Sequence, residues 1–291
     1  MTSPQRFSRR RALGLGGMAT FASAAGLPAG LAAELSGPRG AGKTAGKTAG
    51  KKGLGIAARK GAWSKRLASL NCDWFYTWGA ERPADTPKGP EFIPMIWGYW
   101  GQDDKIAAAG EAARKAGIRE LLGFNEPDRH NQSNLSVERA LKAWPLLEAT
   151  GLRLGSPGCV HPDNDWMKTF MRRAKRERLK VDFVCVHNYG GPSADALVKR
   201  LTDVYRMYRK PIWITEFAVG DWEAKSAEAN RHKPDRILRF MEAVLPRLEQ
   251  LDFIERYAWF PAAPDNRALG TSALHDSTGK LTRLGECYRD A

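Results

Sequence analysis

Two glutamates lie near the ends of short apolar runs and could act as a catalytic pair. Glu126 ends the run at residues 120–126, and Glu216 lies near the end of the run at residues 211–217. Short apolar runs are typical of buried parallel strands, and active sites of α/β enzymes form where such strands end. In both runs, the period of two places the glutamate on one face with apolar residues before it. Two carboxyl groups that face one pocket are what hydrolysis of a glycosidic bond requires. The alternative is a pair of structural acids that cap helices or form ion pairs.

The chain that must position these glutamates alternates apolar runs with amphipathic segments from residue 53 onward. Eight strands are predicted, at residues 53–57, 73–78, 91–97, 120–126, 153–157, 181–189, 211–217 and 256–260. Helices are predicted at residues 103–116, 136–150, 166–179, 193–208 and 235–251. This pattern predicts an α/β fold, a single-domain (β/α)8 TIM barrel. The alternative is a doubly wound open sheet, but no glycine fingerprint follows the first strand.

Two irregularities are expected in this barrel. The connection at residues 79–90 is rich in proline and resembles a loop, so one helix of the outer ring should be short or missing. Pro145 lies inside a predicted helix and should kink or shorten it.

The last residues of barrel strands project into the mouth, which yields a set of candidate site residues. Besides the two glutamates, the candidates for substrate binding are Trp74, Trp78, Trp97, Asn125, His187, Tyr189 and Trp259. Aromatic faces can bind the apolar faces of sugar rings, and Asn125 can hydrogen-bond the 2-hydroxyl next to the scissile bond. Tyr189 or His187 could orient the nucleophilic carboxylate. The set is therefore typical of a carbohydrate site, with neither a cofactor nor a metal expected.

The charge of the chain is unevenly distributed. The formal net charge is +14, but residues 1–52 contain nine Lys or Arg and one acidic residue, so that segment alone carries +8. The remainder is mildly basic, and its basic runs, such as residues 172–178, are typical of solvated helix faces. Nucleic acid is therefore not an expected partner. The four cysteines show no spacing typical of a zinc site.

The N-terminal region indicates export. Residues 1–35 combine a Ser-Arg-Arg start with a weakly hydrophobic Gly/Ala-rich stretch, as in a twin-arginine signal, and predict a periplasmic or secreted protein. The alternative is an N-terminal membrane anchor; after signal cleavage, no stable membrane insertion is expected. Residues 36–52 form a basic Gly/Ala/Lys/Thr linker that cannot bury a core, and residues 53–291 form the predicted catalytic domain.

The linker contains the pattern of a phosphate-binding loop. The segment from Gly37 to Thr44 satisfies the P-loop spacing, which makes nucleotide binding a remote alternative. The physics of that motif requires a buried strand before the loop and a helix after it. A signal region precedes this segment and a low-complexity repeat follows it, so nucleotide binding is not expected.

The strand-end motifs together resemble the catalytic domain of glycoside hydrolase family 128, a family of retaining β-1,3-glucanases. The matching strings occur in the family's order, at residues 74–79, 92–98, 123–128, 155–157, 186–190, 213–218 and 257–260. The resemblance implies that Glu126 is the acid/base, that Glu216 is the nucleophile, and that Trp259 floors the central sugar subsite. We expect a monomer that acts on β-glucan, with cleavage within the chain favoured and exo action left open. The other function to weigh is that of a non-catalytic glucan-binding barrel.

One position departs from the family pattern. The family's usual Val-His-Trp-Tyr-Gly reads Val-His-Asn-Tyr-Gly here, with Asn188 in place of tryptophan. If that tryptophan lines the cleft, a sugar platform is lost. If the side chain faces outward, as strand parity suggests, little changes.

Overall fold

The computed structural model describes residues 50–58 and 61–291. The predicted export signal, most of the predicted linker and the P-loop-like segment lie outside the described residues. Eight parallel strands occur in the described part: β1 Lys52–Gly55, β2 Trp74–Tyr76, β3 Glu91–Phe92, β4 Glu120–Leu121, β5 Arg153–Leu154, β6 Val184–Asn188, β7 Ile212–Phe217 and β8 Ile254–Trp259. Each begins within three residues of a predicted strand.

Seven α-helices accompany the strands in the described residues. They are α1 Trp63–Ala68, α2 Asp103–Lys115, α3 Val137–Glu148, α4 Asp165–Arg176, α5 Ala194–Tyr208, α6 Pro234–Gln250 and α7 Arg283–Asp290. The sequence reasoning missed the short first and last helices. No helix lies between β2 and β3, as expected from the proline-rich connection. Pro145 lies inside α3, which nevertheless continues to Glu148, so the proline does not end the helix.

The strands follow the order of a (β/α)8 barrel. Hydrogen-bonded ladders join β3, β2, β1, β8, β7 and β6 in that order, and a second ladder joins β4 to β5. Isolated parallel bridges connect Met95 after β3 with Leu122 after β4, and Gly155 after β5 with Phe183 before β6. These bridges link the two ladders on both sides, so that each strand has a neighbour on both edges. The predicted fold class is confirmed.

Local sequence explains where the middle helices begin. Ser136, Asn164 and Ser193 each lie just before a helix and accept a hydrogen bond from the backbone N–H three residues later. These side chains satisfy N–H groups that have no partner inside the helix. The caps thereby fix the residue at which each helix starts after its strand.

The folded domain begins slightly earlier than the sequence indicated. Lys52, which we assigned to the linker, opens β1 and is buried. Its ammonium donates hydrogen bonds to the backbone oxygens of Tyr288, Arg289 and Ala291, at 2.9, 2.9 and 2.6 Å. A cation at the C-terminal end of a helix is stabilised by the helix dipole. The linker boundary at residue 52 was therefore wrong, because this lysine holds α7 against the barrel.

Among the helices of the described residues, none has the length and apolar character needed to cross a bilayer.

Candidate active site

The C-terminal ends of the strands surround a cavity of about 810 Å³. Glu126 and Glu216 both line it, together with Asn125, His187 and Tyr189. One carboxylate oxygen of each glutamate and one ring nitrogen of His187 lie within 4.8 Å of one another. This separation suits a retaining glycosidase, in which the carboxyl groups are about 5–5.5 Å apart, rather than an inverting one at about 6.5–9.5 Å.

Glu216 accepts hydrogen bonds from three neutral donors. Its Oε1 accepts from the hydroxyl of Tyr76 at 3.1 Å and from the indole N–H of Trp78 at 2.8 Å. Its Oε2 accepts from the hydroxyl of Tyr189. Burial and the neighbouring Glu216 charge raise the pKa of both tyrosines well above the usual value, so both hydroxyls keep their protons. Hydrogen bonds of this kind stabilise the ionised form of a carboxylate, which is the form that a nucleophile needs.

Glu126 has fewer donors and a strained backbone. Its Oε1 lies 3.1 Å from Nδ1 of His187, and its Oε2 lies 3.9 Å from the half-exposed guanidinium of Arg129. Its φ is +37°, in the left-handed region that non-glycine residues rarely adopt. The backbone N–H of Glu126 donates to the carbonyl of Gly158 on the neighbouring strand end at 2.8 Å, which holds this conformation. Such strain persists only where the surroundings enforce it, and it is concentrated at functional sites.

His187 lies between the two glutamates. Its Nδ1 meets Glu126, and its Nε2 lies 3.6 Å from Oε1 of Glu216, just beyond hydrogen-bond distance. Burial lowers the pKa of His187, but the carboxylates of Glu216 and Glu126 outweigh burial, so that the pKa is raised above its usual value. Gly158 makes this arrangement possible, because a Cβ there would approach Nε2 of His187 to 2.8 Å.

Aromatic side chains form one wall of the cavity. Trp78 and Trp97 line it, as predicted from their positions after β2 and β3. Sequence reasoning missed Phe260 and Trp222, which also line the cavity. Trp222 is 51% exposed and packs edge-on against Tyr189, so its indole face is open to a ligand. Nothing in its local sequence marks Trp222, because it lies in the long loop after β7 rather than at a strand end.

Two predicted cleft residues lie elsewhere, and both predictions were wrong. Trp259 is fully buried, donates its indole N–H to the carbonyl of Ser272 at 2.9 Å and packs against Phe240 of α6. It therefore faces the helix layer, and Phe260, the next residue, takes the position at the cavity. Trp74 is also fully buried, and its indole N–H donates to the carbonyl of Lys51 near the N-terminal end of the barrel.

Depth along β2 explains why Trp74 does not reach the mouth. Trp74, Tyr76 and Trp78 alternate along this strand and its extension, and therefore share the inward face. Trp74 lies deepest, Tyr76 reaches Glu216 from the middle layer, and Trp78 reaches the mouth. The same alternation could have identified Tyr76 from the sequence.

Polar side chains form the opposite wall. Arg129, Asn131, Gln132, His161 and Arg200 line the cavity on this side. Asn125 donates from Nδ2 to Oε1 of Gln132 at 3.3 Å, while its buried Oδ1 has no protein partner in the described part of the chain. A buried acceptor without a partner is rare and marks a position where a ligand donor would fit.

Asn188 also lines the cavity, so the outward orientation suggested by strand parity is wrong. The pairing of β6 with β7 shifts register between Val186 and His187, and β6 ends at Asn188. Strict alternation of side chains therefore does not hold at this end of the strand. The cleft has a short amide where the family pattern has an indole.

The cluster of Glu126, His187 and Glu216 has the composition of a metal site. Three potential ligand atoms lie within 4.8 Å of one another. However, Nδ1 of His187 is engaged by Glu126, and both oxygens of Glu216 accept hydrogen bonds from neutral donors. A cation would compete with these donors. We therefore interpret the cluster as a site of proton transfer.

Comparisons with known proteins agree with this geometry. A family model described as glycosyl hydrolase catalytic core matches residues 53–288. A family 128 (subgroup I) endo-β-1,3-glucanase from Amycolatopsis mediterranei, crystallised with laminarihexaose, is 36% identical, with a TM-score of 0.69 over 83% of this chain and 99% of that chain. A family 128 (subgroup III) curdlan-specific exo-β-1,3-glucanase from Blastomyces gilchristii, in complex with glucose, is 28% identical, with a TM-score of 0.66 over 84% and 99%.

A longer fungal protein is also similar. Alkali-sensitive linkage protein 1 from Schizosaccharomyces pombe (strain 972 / ATCC 24843) is 27% identical over 235 residues, which are 78% of this chain and 42% of that protein. The chain therefore spans less than half the length of this relative.

Proposed function

The chain belongs to the glycosyl hydrolase catalytic core family, within it to glycoside hydrolase family 128, and from that premise we propose that it is a retaining endo-β-1,3-glucanase. The observation that carries the mechanism is the unequal distribution of donors around two close carboxylates. Glu216 accepts from Tyr76, Trp78 and Tyr189, whereas Glu126 meets His187 and a distant Arg129. A double displacement needs this difference, because one group must be ionised and the other must deliver a proton.

The proposed reaction has two steps. Glu216 attacks C1 of the sugar and forms a glycosyl–enzyme ester, while Glu126 protonates the leaving glycosidic oxygen. Glu126, now ionised, then takes a proton from water, which attacks C1 and releases Glu216 with retention of configuration. The contact between Glu126 and His187 supports the ionised state between the two steps, since the raised pKa of His187 favours a charged imidazole beside that carboxylate.

The cleft supports a polysaccharide substrate. Trp78, Trp97 and Trp222 offer indole surfaces along one wall, and the unpartnered Oδ1 of Asn125 can accept a sugar 2-hydroxyl. A neighbouring cavity of about 580 Å³ has His161 and Arg200 in common with the first, so the two cavities adjoin at this wall. Adjoining cavities suit cleavage within a chain, and the Amycolatopsis mediterranei relative is described as an endo-β-1,3-glucanase.

The proposal is tested by digesting laminarin and a series of β-1,3-gluco-oligosaccharides of increasing length and identifying the products. We expect internal cleavage, with oligosaccharides released early, and the β-anomer detected first by NMR. Glu216→Ala should abolish hydrolysis. Lys43→Ala, in the P-loop-like segment, should have no effect. Release of the α-anomer, or hydrolysis that survives Glu216→Ala, would contradict the proposed mechanism.

Two substrates with different leaving groups distinguish the roles of the two glutamates. Glu126→Gln should lose about 10²–10⁴-fold in kcat on laminarin, the usual contribution of general acid–base catalysis. The first step with an aryl β-laminaribioside should be nearly unaffected, because a good leaving group departs without protonation. Glu216→Gln should be inactive on both substrates. A reversed pattern would exchange the two roles.

We also propose that the chain acts outside the cytoplasm, on the basis of the twin-arginine-like residues 1–35. We further propose that it acts as a monomer. Fractionation of cells that express the full chain, with Arg9→Lys/Arg10→Lys as the matched variant, tests export. Size-exclusion chromatography with light scattering tests the oligomeric state.

A further inference from the structure

A further cavity, which shares no lining residue with the cavity of the glutamates, lies between two helices and is lined by cations. Its volume is about 680 Å³, and it lies between α4 and α5 and the segments that follow them. The lining includes six basic residues and no acidic residue: Lys168, Arg172, Lys175, Arg178, Arg209 and Lys210. We call this cavity the basic groove. Arg178 precedes β6 and Lys210 precedes β7, so the groove extends toward the N-terminal ends of the strands.

Neighbouring carboxylates do not neutralise the groove. Among the described residues, none of its six cations forms an ion pair with an acidic side chain. Two acids close to the groove in sequence pair with other cations: Glu177 with Arg173 and Arg176, and Asp203 with Lys199. An ordinary solvated helix face intersperses charges of both signs, whereas here one sign is concentrated in a concavity.

Helix stabilisation accounts for only part of this cluster. Cations near the C-terminal end of a helix interact favourably with its dipole, which could explain Lys175. Lys168, however, lies in the first turn of α4, where the dipole disfavours a cation. Arg178 and Arg209 have φ values of +58° and +52°, a left-handed conformation that glycine adopts at lower cost. Arginine is thus present at two positions where backbone conformation favours another residue.

We propose that the basic groove binds a linear polysaccharide whose sugar rings carry repeating carboxylate groups. The positive charge of the groove favours a negatively charged partner, and its concave shape fits a thin chain better than a flat surface. Apolar side chains, including Met171 and Met207, also line the groove and can contact the ring faces of sugars. Single-stranded nucleic acid is disfavoured, because such sites stack bases on aromatic rings. The groove offers one such ring, Tyr208, whose hydroxyl donates to the carbonyl of Pro162.

This binding is independent of the proposed hydrolysis. The glutamates lie at the C-terminal ends of the strands, so an anionic chain in the groove leaves the catalytic cleft free. The groove would hold the enzyme on an anionic polymer while the cleft acts on a neutral one.

The test uses the full chain and a fluorescently labelled oligogalacturonate, with poly(glycerol phosphate), an anionic polymer without sugar rings, for comparison. Fluorescence anisotropy should show binding of the oligogalacturonate that weakens steeply with salt. The variant Arg172→Glu/Lys175→Glu should weaken binding about tenfold or more, because two attractive charges become repulsive. The control Lys105→Glu/Lys142→Glu changes the net charge equally on α2 and α3, at exposed residues outside the groove, and should change affinity less than about twofold. The basic N-terminal segment is the same in all variants.

Hydrolysis of laminarin should be unchanged in both double variants, which confirms that they fold. If the groove variant is unstable, Arg209→Gln/Lys210→Gln provides the same comparison without charge reversal. Equal weakening by the groove and control variants, no binding of the oligogalacturonate, or tighter binding of poly(glycerol phosphate) would overturn the proposal. Tighter binding of single-stranded DNA or of phosphatidylglycerol vesicles, lost in the groove variant, would also overturn it and identify a nucleic acid or a membrane as the partner.

Discussion

Replacement of Glu216 by glutamine should destabilise the protein more than the same replacement of Glu126. Glutamine at either position has nearly the size of glutamate, so neither change opens a cavity or overpacks the site. The remaining difference lies in the hydrogen bonds that each carboxylate accepts.

The structure sets the size of this difference. Glu216 accepts from Tyr76, Trp78 and Tyr189, whereas Glu126 meets one close partner, His187. A hydrogen bond to a charged group contributes about 1.5–3 kcal/mol to stability, and one between neutral groups contributes about 0.5–1.5 kcal/mol. Each hydrogen bond to the side chain therefore weakens by about 1 kcal/mol when glutamate becomes glutamine. Three contacts against one leave a difference of about 2 kcal/mol. For a domain of this size, that corresponds to a Tm lower by about 4–8 °C for Glu216→Gln than for Glu126→Gln.

Thermal unfolding monitored by circular dichroism at neutral pH measures this difference directly. Both variants lack one catalytic group, so bound substrate does not complicate the comparison. Urea unfolding provides an independent value, because similar slopes would show that the unfolded states are comparable. A Tm for Glu216→Gln equal to or above that of Glu126→Gln would refute the argument. The donors around Glu216 would then not stabilise its charge, and the assignment of the nucleophile from them would fail.

Three further predictions follow from single residues. The pKa of His187 is raised in the folded protein, so its charged form contributes stability that is present below the ordinary value of 6.5 and is lost as the pH rises through the folded value. The difference in unfolding free energy between wild type and His187→Gln should therefore be larger near pH 6 than near pH 9; a constant difference would contradict this. Trp222→Ala should raise KM for laminarin about five- to thirtyfold with little change in kcat, because an exposed sugar platform is worth about 1–2 kcal/mol, and Trp222→Phe should restore part of the loss. Lys52→Met should lower the unfolding free energy by about 1.5–3 kcal/mol, because three carbonyl contacts at the end of the chain lose their charged donor, and urea unfolding measures the loss.

Much of the barrel could be predicted because each strand is a short apolar run bounded by polar or turn residues. The signal fails for short elements: α1 has six residues, too few to establish a helical period. It also fails for Lys52, which continues a basic linker in composition but lies in β1. Composition describes what a segment can bury by itself, whereas Lys52 is buried by partners more than 230 residues away along the chain.

Side-chain alternation locates the site only as far as alternation holds. It places Glu126 and Glu216 on inward faces, and the structure brings both to the cavity. It fails at the end of β6, where a register shift brings Asn188 to the cleft, and at β8, where Trp259 faces the helices. Trp222 lies on a loop that has no periodicity from which a direction could be inferred.

The chemical difference between the glutamates could not be derived from the sequence at all. Both end similar strands, and nothing local distinguishes an acid from a nucleophile. The distinction arises because Tyr76 and Trp78, two residues apart on β2 and its extension, converge with Tyr189 on one carboxylate. Glu126 lies across the mouth with a histidine as its main partner. The surroundings of each glutamate, rather than its residue type, separate the two roles. A change in the hydrogen-bond donors around the two carboxylates should therefore change which of them acts as the nucleophile.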